Sequence, residues 1–365
     1  MPEYRRYELG SVCARLSSGK GIPASQVFNE GAFPVYGGNG LRGYTDHSNF
    51  RGDCAIIGRQ GAFCGNVRYF NGEAYMTEHA VVVCANECHN TRYLAYLLSQ
   101  MNLGRLSGQS AQPGLSVKTL AKQVIELPPL DVQNKVVAVL SSLDSKIALN
   151  EKINDNLQQQ ATALFSSLYD RSNTEVRFTD LIQILGGGTP KTGESTYWNG
   201  NIAFFTPKDV GTPYTLITEK TISEEGLSHC NSRLYPVNTV FVTARGTVGK
   251  VGISGVPMAM NQSCYALVGK ETHQLLVYFY TLKAVDRLKH KASGAVFDAI
   301  TTRDFESEQI MKLSDDDAKA FLCIAEPMFQ KVLNNCIENL RLSTLRDSLL
   351  PKLMSGEIDV SAIQL

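Results

Sequence analysis

Residues 130–169 read LDVQNKVVAVLSSLDSKIALNEKINDNLQQQATALFSSLY. Alternating steps of four and three from Val136 pick out Val136, Leu140, Leu143, Ile147, Asn150, Asn154, Leu157, Ala161, Leu164 and Leu168. That is a heptad seam, apolar except for two central asparagines. Pro128-Pro129 just ahead stops any helix from beginning earlier. Moved along the chain, the same steps give Phe321, Ala325, Met328, Val332, Asn335, Asn339, Leu342, Arg346, Leu349 and Leu353. Both asparagines recur in register, since 335 − 150 and 339 − 154 both equal 185. A buried Asn in a seam costs stability and fixes register or partner choice. Matched heights would let the amides of two such helices pair with each other. Any long amphipathic helix shows some three–four spacing, but that alone does not produce the recurrence.

Outward from the seam the chain repeats more loosely. AIIGRQGAFCGNV at 55–67 resembles VFVTARGTVGKV at 240–251, with one residue inserted in the first copy. Each reads as a strand, a basic glycine turn and a second strand. MTEHAVVV at 76–83 resembles MNQSCYAL at 260–267, and helical stretches follow at 91–102 and 273–290. The segments 106–128 and 291–313 close each copy. The expected fold is α+β: two pseudo-repeated mixed α/β modules separated by two long antiparallel coiled-coil helices. The expected boundaries are 1–128 and 174–313 for the modules, 129–173 for the first spacer helix, and 314–365 for the second with a C-terminal tail.

A helix of about 40 residues rises roughly 60 Å, and its apolar stripe needs a partner. Antiparallel pairing of the two copies would set the modules at opposite ends; seams between two copies of the chain are the alternative. Two similar modules at fixed spacing suit a ligand with two unlike sites, and duplex DNA repeats about every 34 Å. The same geometry would suit a two-headed adaptor for protein or glycan surfaces.

Composition is permissive. At 43% hydrophobic and 19% charged the 365 residues read as an ordinary globular chain. No apolar run nears the roughly 18 residues of a membrane span, and MPEYRRYELG lacks the apolar core of a signal peptide. A cytoplasmic address is expected. Net charge is zero, yet residues 1–128 hold 12 Lys+Arg against 9 Asp+Glu and 174–313 hold 14 against 13. Residues 129–173 hold 4 against 5, and 314–365 hold 5 against 8. That slight bias permits DNA binding without arguing for it. Nine cysteines show no paired rhythm, and Cys84, Cys88 and His89, with His79 upstream, lack the second ligand pair of a structural zinc. They read as incidental thiols of a reducing compartment, with no metal and no cofactor.

LPPLDVQNKVVAVLSSLDSKIALNEKIN at 127–154 and LRDSLLPKLMSGEIDV at 345–360 resemble the specificity subunit of type I restriction–modification systems. So do SGKGIPASQVFNEGAFPVYGGNGLRGYT at 18–45 and GGGTPKTGESTYWNGNIAFFTPKDV at 186–210, which resemble openings of target-recognition domains. The resemblance covers essentially the whole chain. It implies a non-catalytic subunit reading a bipartite, asymmetric site in double-stranded DNA. It also implies that the spacer helices dock two methyltransferase (modification) subunits, later joined by nuclease/translocase (restriction) subunits, and that no membrane is involved. Two departures stand out. The second spacer begins MKLSDDDAK at 311–319 where the first reads IELPPLDVQ at 125–133, and Arg346 interrupts an apolar seam, where it is expected to face a partner.

Candidate DNA contacts follow from side-chain chemistry. Arg59 and Arg245 sit in the glycine turns RQG and RG, and guanidinium groups engage guanine or phosphate bidentately. Gln60 next door has the amide that reads adenine. Lys20, Arg42 and Tyr44 lie in the glycine-rich opening of the first module, and Lys191 and Lys208 in a comparable stretch of the second. Arg287, Lys289, His290 and Lys291 form a basic run at a helix end, a place that favours cations in any case. The central seam positions are Leu143, Ile147, Asn150, Asn154 and Leu157 facing Met328, Val332, Asn335, Asn339 and Leu342. GGGTPKT fails as a phosphate loop because Pro190 precedes Lys191. No Asn- or Asp-Pro-Pro-aromatic stretch, G-x-S-x-G elbow or H-E-x-x-H helix occurs, so no catalysis is expected.

Overall fold

In the computed structural model both heptad stretches are continuous helices of 40 residues, Leu130–Tyr169 and Asp315–Met354. Residues 3–107, 114–211, 213–291, 299–360 and 363 are described; parts of the repeated segments 106–128 and 291–313 therefore lie outside the described residues. Every one of the ten seam positions on each helix is buried or half-buried. The second helix runs through Pro327 and Pro351, each of which removes a backbone donor at a cost of about 3 kcal/mol. Burial of Phe321, Ala325, Phe329 and Val332 around the first proline, and of Leu350 and Leu353 beside the second, offsets that cost.

The chain divides into two units, Met1–Lys146 with Leu342–Leu365, and Ile147–Arg341. In the first, Arg5–Glu8 pairs antiparallel with Val124–Leu127, bringing the module's two ends together. A six-stranded sheet follows in the order Cys13–Ser18, Ala80–Ala85, Phe50–Gly58, Val67–Met76, Phe33–Gly37, Gly40–Thr45. Its central strands are buried on both faces, which explains the unbroken apolar runs at 54–57 and 80–83. The helix Thr91–Gln100 is capped by Asn90, whose Oδ1 accepts from Tyr93 N at 3.0 Å. Its Tyr93, Leu94 and Leu98 share one core with Val136, Leu140, Leu350 and Leu353 of the long helices.

The second unit repeats this plan with one strand broken. Thr174–Arg177 pairs with Gln309–Lys312. A five-stranded sheet runs Ile182–Gly186, Cys264–Gly269, Val240–Thr243, Val251–Ser254, Tyr214–Thr215. Lys220–Ile222, Trp198–Phe205 and Met258–Met260 form a separate sheet. The single long strand Val67–Met76 of the first module thus corresponds to two short ones. Gly255-Val256-Pro257 interrupts the run, and proline has no hydrogen to donate to a ladder. The helix Gln274–Lys291 buries Phe279 and Tyr280 against Phe165 and Phe321 of the long helices. No described helix is long and apolar enough to cross a membrane.

Candidate nucleic-acid interface

Backbone hydrogen bonds align the two glycine turns residue by residue. Gly58 pairs with Ala80 and Thr243 with Cys264 at the ends of matching strands. One residue on, the carbonyl of Arg59 accepts from Leu115 N at 2.8 Å, and the carbonyl of Ala244 accepts from Ile300 N at 2.9 Å. Next, Gln60 bridges Gly114 and Arg245 bridges Ala299. Gly61 and Gly246 then take φ of +76° and +81°, where a side chain is strained. The turns close again at Gly65 and Gly249, whose N–H groups donate to Gly58 O at 2.8 Å and Thr243 O at 2.9 Å. The inserted residue therefore lies after the glycine. Gln60, not Arg59, is the counterpart of Arg245.

That alignment changes what the arginines do. Arg59 is half-buried; its Nη1 donates to Ser18 Oγ at 3.4 Å and its N–H to His79 O at 3.0 Å. The matching Ala244 is buried outright. Gln60 and Arg245 are both exposed.

In the first module three glycine-rich turns close on residues 76–79. Lys20 N donates to Met76 O at 3.0 Å, Thr77 N to Tyr36 O at 2.9 Å, and Arg59 N to His79 O at 3.0 Å. Gly19 has no room for a side chain, since a Cβ there would lie 2.0 Å from Met76 O. Lys20 and Arg42 are exposed at these turns. Arg42 is the extra residue of a bulge, because Val35 pairs with Gly43 and Tyr36 with Leu41. Tyr44 is half-buried and its backbone bonds Phe28 in both directions at 2.8 Å. The exposed Arg68, missed from the sequence, lays its guanidinium against the Gly40 turn. Only its place on a strand paired with Ile56 could have pointed to it.

The second module builds the same cluster from other side chains. Gly188 N donates to Met260 O at 3.1 Å, so Gly188, and not a lysine, is the counterpart of Lys20. Lys191 is exposed, and its carbonyl accepts from Trp198 Nε1 at 3.1 Å. Lys208 is exposed in a turn closed by Asp209, which accepts from Thr206 N at 2.8 Å, and it pairs with Glu219 at 3.4 Å. Thr247 Oγ1 donates to Pro207 O at 3.2 Å and joins that turn to the one carrying Arg245. The Lys289 stem lies over Gly249, in the same turn. Lys291, a candidate DNA contact, is engaged within the module. It pairs with Glu308, as does Arg287 at 3.7 Å, and Glu308 is only 1% exposed. A buried carboxylate needs paired charge, and these two cations supply it to Glu308.

The helices place amide against amide. Asn150 Nδ2 donates to Asn339 Oδ1 and Asn335 Nδ2 to Asn154 Oδ1, both at 2.8 Å. Partner numbers fall as the others rise, so the helices run antiparallel. Asn150 also donates to Glu338 at 2.8 Å, and Asn339 Nδ2 reaches Ile147 O at 3.4 Å. Leu157, Met328 and Val332 pack into the second unit's core, while Leu143, Ile147 and Leu342 are half-buried. Arg346 does not await a partner: its Nη1 meets Asp144 at 3.0 Å. Asp144 also takes Arg92 at 3.1 Å and a short hydrogen bond from Tyr96. Burial works to raise that carboxyl, but Tyr96, Arg346 and Arg92 outweigh it and hold it below the usual carboxylate range. Gln133 Nε2 donates to His89 Nδ1 at 3.1 Å, and His79 Nε2 meets Glu78 at 3.1 Å. Burial pushes Cys13, Cys54 and Cys264 up to about 12, so these thiols stay protonated at neutral pH.

Two copies of one glycine-turn module on paired helices, with cations gathered at the turns, define a duplicated recognition scaffold. The type I restriction modification DNA specificity domain matches twice, over residues 1–159 and 171–312. The chain belongs to that family of specificity subunits, which are not themselves the catalysts of their complexes. Over 147 residues it is 36% identical to the type I restriction enzyme EcoprrI specificity subunit of Escherichia coli, a stretch covering 39% of this chain and 36% of that one. Over 350 residues, 91% of each chain, it is 22% identical to the putative type I specificity subunit S.MpnORF507P of Mycoplasma pneumoniae. In fold it is similar to the type I restriction–modification S subunit from M. genitalium, with a TM-score of 0.65, 14% identity and 96% of both chains covered.

Proposed function

We propose that the chain reads a bipartite, asymmetric sequence in double-stranded DNA and aims partner enzymes at it. Residues 1–128 read one half and residues 174–313 the other. The helices in 129–173 and 314–365 fix register and dock two methyltransferase subunits, which nuclease/translocase subunits join. The observation that carries this reading is the repeated turn with an unlike exposed tip: one backbone plan, two chemistries, as two different half-sites require. Lys20, Arg42, Tyr44, Lys191, Lys208 and Lys289 supply phosphate contacts around those tips, while Arg59 and Lys291 act mainly within their modules.

The test is co-expression with a partner methyltransferase subunit and a map of adenine methylation across the host genome. The expected result is one split motif with two defined halves and a constant gap. Binding of the complex to duplex DNA should weaken steeply with salt, because phosphate contacts release counterions. A soluble complex with no methylation motif and no salt-dependent duplex binding would overturn the reading in favour of an adaptor for protein or glycan surfaces.

A further inference from the structure

We infer that Gln60 and Arg245 are the matched base-reading positions of the two modules, Gln60 selecting adenine and Arg245 guanine in their respective half-sites. The inference rests on the DNA-reading function proposed above. The backbone hydrogen bonds place the two residues at one position of the repeated turn. Each residue follows one whose carbonyl is tied to the returning chain, Arg59 to Leu115 and Ala244 to Ile300. Each makes its own bridge to that chain, Gln60 with Gly114 and Arg245 with Ala299. Each precedes a glycine at φ near +80°. The backbone at this position is therefore fixed from both sides in both modules, a rigid mount for one side chain.

The side chains themselves are unspent. Alternation along extended backbone turns Arg59 and Ala244 inward and their successors outward. Among the described residues neither the Gln60 amide nor the Arg245 guanidinium has a hydrogen-bond or ion-pair partner, and both are exposed. Other exposed cations nearby are partly engaged, Lys208 by Glu219 for example. Among the described residues nothing lies within 4 Å of a Cβ built at the adjacent Gly61, which leaves room on that side for a large ligand to approach the tip. A carboxamide offers one donor and one acceptor, matching adenine N7 and N6; a guanidinium fork offers two donors, matching guanine O6 and N7. The two modules differ at this mount by that exchange of chemistry.

The experiment uses the full chain with its methyltransferase partner and a duplex library randomised in both half-sites, with selected sequences read out as base preferences. Wild type should select one adenine-dependent column in one half and one guanine-dependent column in the other. Gln60→Arg should move its column from adenine toward guanine, and Arg245→Gln the reverse, each by roughly 5- to 100-fold with other columns unchanged. Gln60→Ala and Arg245→Ala should flatten the same columns, which keeps the test decisive if an exchanged side chain abolishes binding. Unchanged preferences in all four variants would overturn the inference while leaving the proposed function standing. So would a flattened column in Arg59→Ala and not in Gln60→Ala. A wild-type complex that selects no sequence at all would instead sink the DNA-reading function and this inference with it.

Discussion

The two modules share the backbone hydrogen bonds of their glycine turns and differ in what fastens them to the long helices. In the first, Pro128-Pro129 opens the helix and the wholly buried Gln133 stitches it to the module. Its Nε2 donates to Pro128 O at 2.9 Å and its Oε1 accepts from Asn90 N at 2.9 Å, while Asn90 Nδ2 reaches Asn134 at 2.9 Å. In the second, Ser314 caps the helix, accepting from Asp317 N at 3.1 Å, with Asp315, Asp316 and Asp317 in the first turn where the helix dipole favours them. The first core is mostly aliphatic beside the Arg92–Asp144–Arg346 cluster, whereas the second centres on Phe165 with Phe279, Tyr280 and Phe321 around it. A duplicated plan can thus keep its backbone while its anchoring chemistry diverges, because each core needs only to fill its own volume and satisfy its own polar groups.

The sharpest break in the comparison should come at the anchors. Phe165→Ala removes the ring at the centre of the aromatic group and is expected to cost about 3–5 kcal/mol in urea unfolding. Leu140→Ala in the first core should cost less; equal losses would deny that the aromatic anchor is the stronger. Asp144→Ala leaves Arg92 and Arg346 without their shared partner and should cost about 2–3 kcal/mol.

The same carboxylate predicts an acid effect. Its folded value is depressed, so its stabilisation is present above the ordinary carboxylate range and is lost as pH falls through the folded value. Between roughly pH 5 and pH 3 wild type should lose stability faster than Asp144→Asn, and parallel curves would exclude the effect. At the amide rungs Asn335→Leu should cost about 1–2 kcal/mol by stranding Asn154. The double substitution Asn154→Leu with Asn335→Leu should recover most of that loss, as a double-mutant cycle would measure. The smallest effect is assigned to Arg59→Ala, under about 1 kcal/mol given its single long bond to Ser18; a larger loss would make Arg59 a structural pillar that Ala244 has no means to replace.

Much of the architecture is legible in the residues alone. The seam needed only a count of residues, and the asparagines at 150, 154, 335 and 339 marked both helices; antiparallel pairing was expected from chain order, and which amide meets which, Asn150 with Asn339 and Asn154 with Asn335, came from the structure. The helical start near Pro129 also follows from local residue chemistry, whereas the pairing of Arg5–Glu8 with Val124–Leu127 and of Thr174–Arg177 with Gln309–Lys312 joins residues far apart in the chain and came only from the structure. The turn was harder. With RQG against RG, a linear comparison aligns arginine with arginine, and only the bonds to Leu115 and Ile300 show that the extra residue lies beyond the glycine. The partner of Arg346 was equally hidden, since Asp144 lies 202 residues away, and the hold of Glu308 on Lys291 depends on a helix end meeting the start of a strand.

The sequence by itself determined the repeat, the periodicity and the places where backbone must turn, because helix pitch, strand alternation and glycine freedom act over a few residues. Tertiary structure decided which side chain of each turn faces outward, which cations are spent on buried acids and which core anchors which module. Those outcomes depend on the register between elements far apart in the chain, and a shift of a single residue reverses the direction in which a side chain points.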